Sequence, residues 1–190
     1  AGVDLTAYGS AYSAGVSKTG YYMGKFVDKS QTIDNNDTYG SKQNFIIWRY
    51  AEALLDYAEV CYNLGNTGLA KEYLNKTRQR VHMPDIDNVT MESIMNERRV
   101  EMAFEETTYW DLFRWGIAEE KMNGSSNPLK AMRVDVTTKG DVTTTKYTIS
   151  NLNKSPEKVR YFTKRQYYLP LPWSEIKYHG IAQNPDWTEQ

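Results

Sequence analysis

From Ile47 onward the apolar residues recur at helical spacing. Ile47, Ala51, Leu54, Leu55, Ala58, Cys61 and Tyr62 form one stripe, and Leu64-Gly65-Asn66 supplies a glycine stop. This predicts a helix over residues 45–64. A second stripe, Ala70, Tyr73, Leu74, Thr77 and Val81, predicts a helix over 68–82, ended before Pro84 because proline disfavours helix in the residue ahead of it. Met91, Ile94, Met95, Met102 and Ala103 line one face of a third helix over 91–104, with Asn88 or Thr90 as its cap and Glu92 near its positive end. Trp110, Phe113, Arg114 and Ile117 mark a fourth over 109–122, closed by the Asn123 to Pro128 turn sequence. Beyond it, β-branched residues in 131–137 and 142–149 flank Thr138-Lys139-Gly140-Asp141, the signature of a β-hairpin. An aromatic tail follows, with a short helix over 173–178, and is expected to pack back on the helices. Residues 1–44 read as loops with short extended pieces, and Asp34-Asn35-Asn36-Asp37 is a turn signal.

The expected fold is therefore mainly α, with tetratricopeptide-like helical hairpins, loop-rich extensions and a small β-hairpin. Ala58 and Ala70 are the small residues that let two such helices approach closely, while Tyr and Leu side chains fill the gaps. One helical pair cannot bury its own faces and needs neighbours, which are expected upstream. At 190 residues a single domain is expected, divided into a loop-rich segment (1–44), two helical hairpins (45–122) and a β-hairpin with C-terminal tail (123–190).

Charge narrows the range of partners. With 23 basic and 24 acidic residues spread along the chain, there is no electrostatic footprint for nucleic acid or anionic lipid. No apolar run reaches the ~18 residues of a membrane span. A single cysteine, Cys61, on a helical stripe, forms neither an intrachain disulfide nor a cysteine-based zinc site. Neither His82 nor His179 has metal-ligand spacing, and the acidic turns lack the far-end carboxylate of a calcium loop. No metal or cofactor is expected. Aromatic residues make 13% of the chain, with 15 tyrosines, many among polar residues. Tyr8, Tyr12 and Tyr39 lie in polar, loop-like sequence. That context suits stacking against the flat C–H face of a pyranose, with Asn, Asp or Arg at its edge. Trp48, Trp110, Trp115 and Trp187 fall in helical or tail motifs and are expected in the core.

Arg98 and Glu101 lie three apart on one predicted helix, and Asp111 and Arg114 repeat that spacing on the next. Such pairs are favourable within a helix, and facing helices can join them into one network. The alternative is a catalytic carboxylate pair. Carboxylates flanked by arginines have lowered pKa values and make poor general acids, so the structural reading is preferred and no enzyme activity is expected.

Three ordered segments resemble the C-terminal part of the SusD/RagB family of outer-membrane nutrient-binding lipoproteins. They are Arg49-Tyr50-Ala51-Glu52-Ala53-Leu54-Leu55-Asp56-Tyr57-Ala58-Glu59-Val60, then 94–105 with Tyr109-Trp110-Asp111-Leu112-Phe113-Arg114-Trp115-Gly116, and finally Tyr168-Leu169-Pro170-Leu171-Pro172 with Gln183-Asn184-Pro185-Asp186-Trp187. The chain departs from the family pattern at Glu106 and Thr108, where Gly and Arg are usual, and at Asp186, where Gly is usual. The resemblance implies a surface-exposed lipoprotein of the outer membrane that binds glycan and works with a SusC-like TonB-dependent transporter. Contact with the membrane is then made only through an upstream lipid anchor. Two alternatives remain on the residues alone: a tetratricopeptide-like adaptor for protein or peptide, and a glycoside hydrolase with two carboxylates across a cleft.

Overall fold

The computed structural model describes residues 19, 21, 23–26, 44–125, 127–151 and 159–187. It divides into two units. One is Met23–Asp111; the other joins Ala1–Tyr22 to Leu112–Gln190.

The first unit is built on α1 (Tyr50–Asn63), α2 (Thr67–Gln79) and α3 (Met91–Glu101). The helix expected from residue 45 starts at Tyr50, because Arg49 just ahead of it is extended (φ −146°, ψ 162°). At the other end of α1 the predicted stop is a Schellman closure. Gly65 takes φ +78°, its N–H donates to Tyr62 O at 3.0 Å, and the Asn66 N–H donates to Cys61 O at 2.8 Å. Asn66 also accepts from the Leu69 N–H at 3.3 Å and so caps α2, which makes the link between the two helices a single tight corner. The α2 helix ends at Gln79, short of the expected boundary, and His82 turns left-handed (φ +57°) before Pro84. A reciprocal capping box opens α3: the Ser93 N–H donates to Thr90 Oγ1 at 3.1 Å and the Thr90 N–H to Ser93 Oγ at 3.0 Å.

Leu55, Ala58, Cys61, Ala70, Leu74, Val89, Ile94 and Met102 form the core of this unit. Ala58 and Ala70 are wholly buried, as the close approach of α1 and α2 requires. Beside this core the buried Asn75 amide bonds both backbone groups of Ile86. Its Nδ2 donates to Ile86 O (3.1 Å) and its Oδ1 accepts from the Ile86 N–H (2.8 Å), which holds the α2–α3 connection in place. A second stripe on α1, comprising Tyr50, Tyr57 and Val60 and continuing to Leu64, remains exposed.

The single helix expected over 109–122 is two, α4 (Thr107–Arg114) and α5 (Ala118–Met122), and the boundary between the units falls within α4. A second Schellman closure separates them. Gly116 takes φ +71°, its N–H donates to Phe113 O, and the Ile117 N–H donates to Leu112 O, both at 3.0 Å. The Trp115-Gly116 pair is thus a stop of the same kind as Leu64-Gly65.

In the second unit β1 (Lys130–Lys139) pairs antiparallel with β2 (Val142–Asn151), ending at Lys139↔Val142 around a two-residue Gly140-Asp141 loop with Gly140 at φ +59°. The tail folds back on α4 through three rings. Phe113, Phe162 and Tyr167 meet edge-to-face with all centroids 5.4 Å apart. A 3-10 turn, Lys164–Tyr167, precedes α6 (Trp173–His179). Trp187 then locks the end of the tail, its Nε1 donating to Tyr168 O at 2.8 Å and lying within reach of Arg165 O at 3.1 Å.

Two of the tryptophans expected in the core are on the surface instead, Trp48 at 64% and Trp110 at 63% exposure. Trp48 lies ahead of the start of α1 at Tyr50, so it is on no helical stripe. Trp110 precedes buried Asp111 on α4, and one residue turns a helix by about 100°.

Candidate functional site

Tyr8, Tyr12 and Tyr39, the tyrosines read as sugar-stacking, lie outside the described residues. The ionisable residues singled out with them lie on α3 (Arg98, Glu101) and α4 (Asp111, Arg114), and the structure distributes Arg98, Glu101 and Asp111 over two charge centres.

The first centre is Arg98, buried in the last turn of α3. Its Nε donates to Asp111 Oδ2 on α4 at 2.6 Å, its Nη1 binds Asp56 on α1, and Nη2 lies 3.5 Å from Glu52 Oε1 one turn earlier. Carboxylates of α1 and α4 thus converge on one guanidinium from outside its own helix. The Asp111 side chain is 5% exposed and that of Asp56 48%, so the inner pair is desolvated and the outer one wet. Burial raises the Glu52 carboxyl above the usual range, against the pull of Arg98 and with Asp56 and Asp111 adding repulsion.

Glu101, three residues on, faces elsewhere. It is held by Arg49 Nη1 at 2.6 Å and by Arg80 Nη2 at 2.7 Å. Here lies the second centre, the N-cap of α1. Arg49 donates from Nε and Nη2 to the two Glu105 oxygens at 2.6 and 2.8 Å, and from Nη2 to Glu101 O at 2.7 Å. Lys25 reaches the same place, donating to Glu101 O (2.7 Å) and Ala103 O (3.0 Å) and binding Glu105. The bond to Glu105 is the chief cause that raises the Arg49 pKa. Burial pushes Glu105 up, but its bonds from Arg49 and Lys25 outweigh that and hold it below the ordinary range. Arg114, in the second unit, lies with its guanidinium over the Trp115 ring, 4.8 Å from the centroid.

Spacing on a helix could not reveal Lys25, Arg49 or Glu105, because their partners lie 52 to 80 positions away. The one available signal was that Arg49 stands immediately ahead of a helical stripe, where it can turn toward a neighbouring helix end.

Beside this centre a cavity of about 260 Å³ opens between α1 and α2, lined by Arg49, Tyr50, Ala51, Leu54, Lys76, Thr77 and Arg80. Each cation on its rim already has a carboxylate: Glu105 and Glu101 for Arg49, Glu72 for Lys76, Glu101 for Arg80. Among the described residues no group of three or more His, Cys, Asp or Glu is placed to hold a metal ion, and no helix is long and apolar enough to cross a membrane.

The family model described as the SusD family matches residues 3–187. A SusD-like protein of Bacteroides ovatus is 26% identical over 175 residues, covering 80% of this chain and 32% of its own length. The chain thus spans about a third of that curated relative. Among solved structures, a SusD-like protein of Bacteroides fragilis superposes with a TM-score of 0.56 at 29% identity, over 75% of this chain and 26% of that one. Surface glycan-binding protein A of Bacteroides uniformis gives a TM-score of 0.50 at 27% identity, over 73% of this chain and 27% of that one.

Proposed function

This chain belongs to the SusD family, and from that premise we propose that it is the C-terminal portion of a surface-exposed outer-membrane lipoprotein that binds an oligosaccharide or polysaccharide. In this reading the bound glycan passes to a SusC-like TonB-dependent transporter, and a lipid anchor holds the protein at the membrane. The observation that carries the proposal is the family match across residues 3–187. The likeness to a protein named for surface glycan binding supports it.

Tyr8, Tyr12 and Tyr39 are the residues proposed to meet the sugar. Each offers a ring face for the C–H face of a pyranose and a hydroxyl for its edge, amid polar neighbours that supply further hydrogen bonds. Arg98, Glu101, Asp111 and Arg114 are assigned a structural role and not a catalytic one. Glu101 is bound by Arg49 and Arg80 and Asp111 by Arg98, and a carboxylate engaged by a guanidinium makes a poor general acid for glycoside hydrolysis.

Affinity electrophoresis of the full-length protein through gels containing a panel of polysaccharides tests the reading. Retardation by at least one glycan is expected, reduced by alanine at Tyr8, Tyr12 or Tyr39. Free migration through every gel would overturn glycan binding and favour a peptide-binding adaptor. New reducing ends on incubation with glycans would show a hydrolase.

A further inference from the structure

We propose that Glu105 is a shared anchor which ties two separate chain segments, 23–26 and 44–49, to the turn after α3, so that the two feet release together when its charge is removed. Lys25 and Arg49 belong to different segments, yet they converge on one carboxylate and on one backbone carbonyl, that of Glu101. The carboxylate is 5% exposed, while the two cations are 35% and 22% exposed. The charge that both feet share is therefore the most deeply buried member of the group, and neither cation finds an equivalent partner by swinging into solvent.

The receiving turn explains why so many donors meet there. Helix α3 ends at Glu101; the Met102 N–H serves the Arg98 and Val100 carbonyls, and the Glu101 carbonyl lies past the end of that ladder. Lys25 and Arg49 supply the Glu101 carbonyl with donors, and Lys25 supplies that of Ala103. Phe104 and Glu106 sit at φ +66° and +62°, in the left-handed region that side chains with a Cβ adopt only at a cost. Backbone held this way persists where its surroundings over-determine it. Here the over-determination comes from Glu105, between the two strained residues, fixed by two cations at once. Removing its charge leaves Lys25 with backbone carbonyls and Arg49 with Glu101 as the remaining partners, so that both feet loosen and the turn relaxes.

Spin labels on the full-length protein test this, with Cys61 replaced by alanine. Labels at Gly24, where an added Cβ meets open space, and at exposed Ile47 report the distance between the feet. A control pair at Asn63 and Glu72 reports the α1–α2 hairpin. In the parent, the Gly24–Ile47 distance distribution is expected to be narrow. In Glu105→Gln it broadens at least about twofold, since each foot loses a charge-assisted bond, while the control pair stays unchanged. An unchanged Gly24–Ile47 distribution in Glu105→Gln overturns the proposal. Should that variant fail to fold, as the control pair would show, Lys25→Met at a residue only part-buried carries the test. The same broadening is expected there, and its absence is equally decisive against the shared anchor.

Discussion

Replacing Arg98 with methionine leaves the Asp111 carboxylate, 5% exposed, without the guanidinium that meets it at 2.6 Å. Taking one partner from a buried pair costs about 3–5 kcal/mol, because the remaining charge stays desolvated. The Asp56 contact adds little, since that side chain is 48% exposed and water replaces its partner; such pairs contribute at most about 1 kcal/mol. Glu52, already raised by burial, loses the cation that opposes the shift. The expected loss is about 3–5 kcal/mol at neutral pH, a large share of the ~5–15 kcal/mol that holds a domain folded. Urea denaturation followed by far-UV circular dichroism reads it as a lower midpoint with an unchanged slope. The double variant Arg98→Met with Asp111→Leu is expected to recover most of the loss, because an apolar pair of similar volume replaces a buried ion pair at little net cost. A loss below about 1 kcal/mol in the single variant, or a double variant no more stable than the single, would refute the assignment of Arg98 as the buried charge centre.

Glu106 and Asp186, where the resemblance to the family pattern leads to an expectation of glycine, sit at φ +62° and +63°. Glu106→Gly and Asp186→Gly are each expected to raise stability by about 0.5–1 kcal/mol, the left-handed penalty less the extra unfolded-state entropy of glycine; a lower melting temperature would contradict this. Gln183 accepts from the Leu171 N–H at 2.8 Å and donates to Leu171 O at 3.0 Å, so Gln183→Ala should speed hydrogen exchange at the Leu171 amide by about tenfold or more, with α2 unaffected. The two perturbed carboxyls act in opposite directions with pH. The stabilising part of Glu105, whose folded pKa is lowered, is present above the ordinary Glu range and is lost as pH falls through the folded value. For Glu52, whose folded pKa is raised, stability is fully present below the ordinary range and is lost as pH rises through the folded value. Glu52→Gln is therefore expected to be no less stable than the parent at neutral pH and to lose that advantage in acid; denaturation midpoints across the acid range check the sign.

Much of the helical framework was legible from the chain alone, because what defines a helix is local. The stripe around Leu54, Leu55, Ala58 and Cys61 and the stop at Gly65 needed no knowledge of the rest of the molecule. The same logic narrowed the α3 cap to Asn88 or Thr90, of which the structure uses Thr90, and reached the hairpin around Gly140. It also contained the break at Gly116, a closure of the Gly65 type that the continuing amphipathic pattern concealed. The ion pairs were legible only as residue types. Arg98 and Glu101 have the spacing of a helical pair, yet Arg98 turns to Asp111 and Asp56, and Glu101 to Arg49 and Arg80.

The sequence by itself thus determined most of the segments that become helix and strand, the stop at Gly65, and which small residues let α1 and α2 meet, since periodicity, glycine and capping act over a few residues, whereas the start at Tyr50, the end at Gln79 and the break at Gly116 departed from the expected bounds. Only the tertiary structure decided which charge meets which and which tryptophans are covered. Those outcomes depend on groups far apart in the chain, and a long side chain turns toward whichever buried partner the packing brings within reach, since desolvation makes that contact outweigh a solvated neighbour on its own helix.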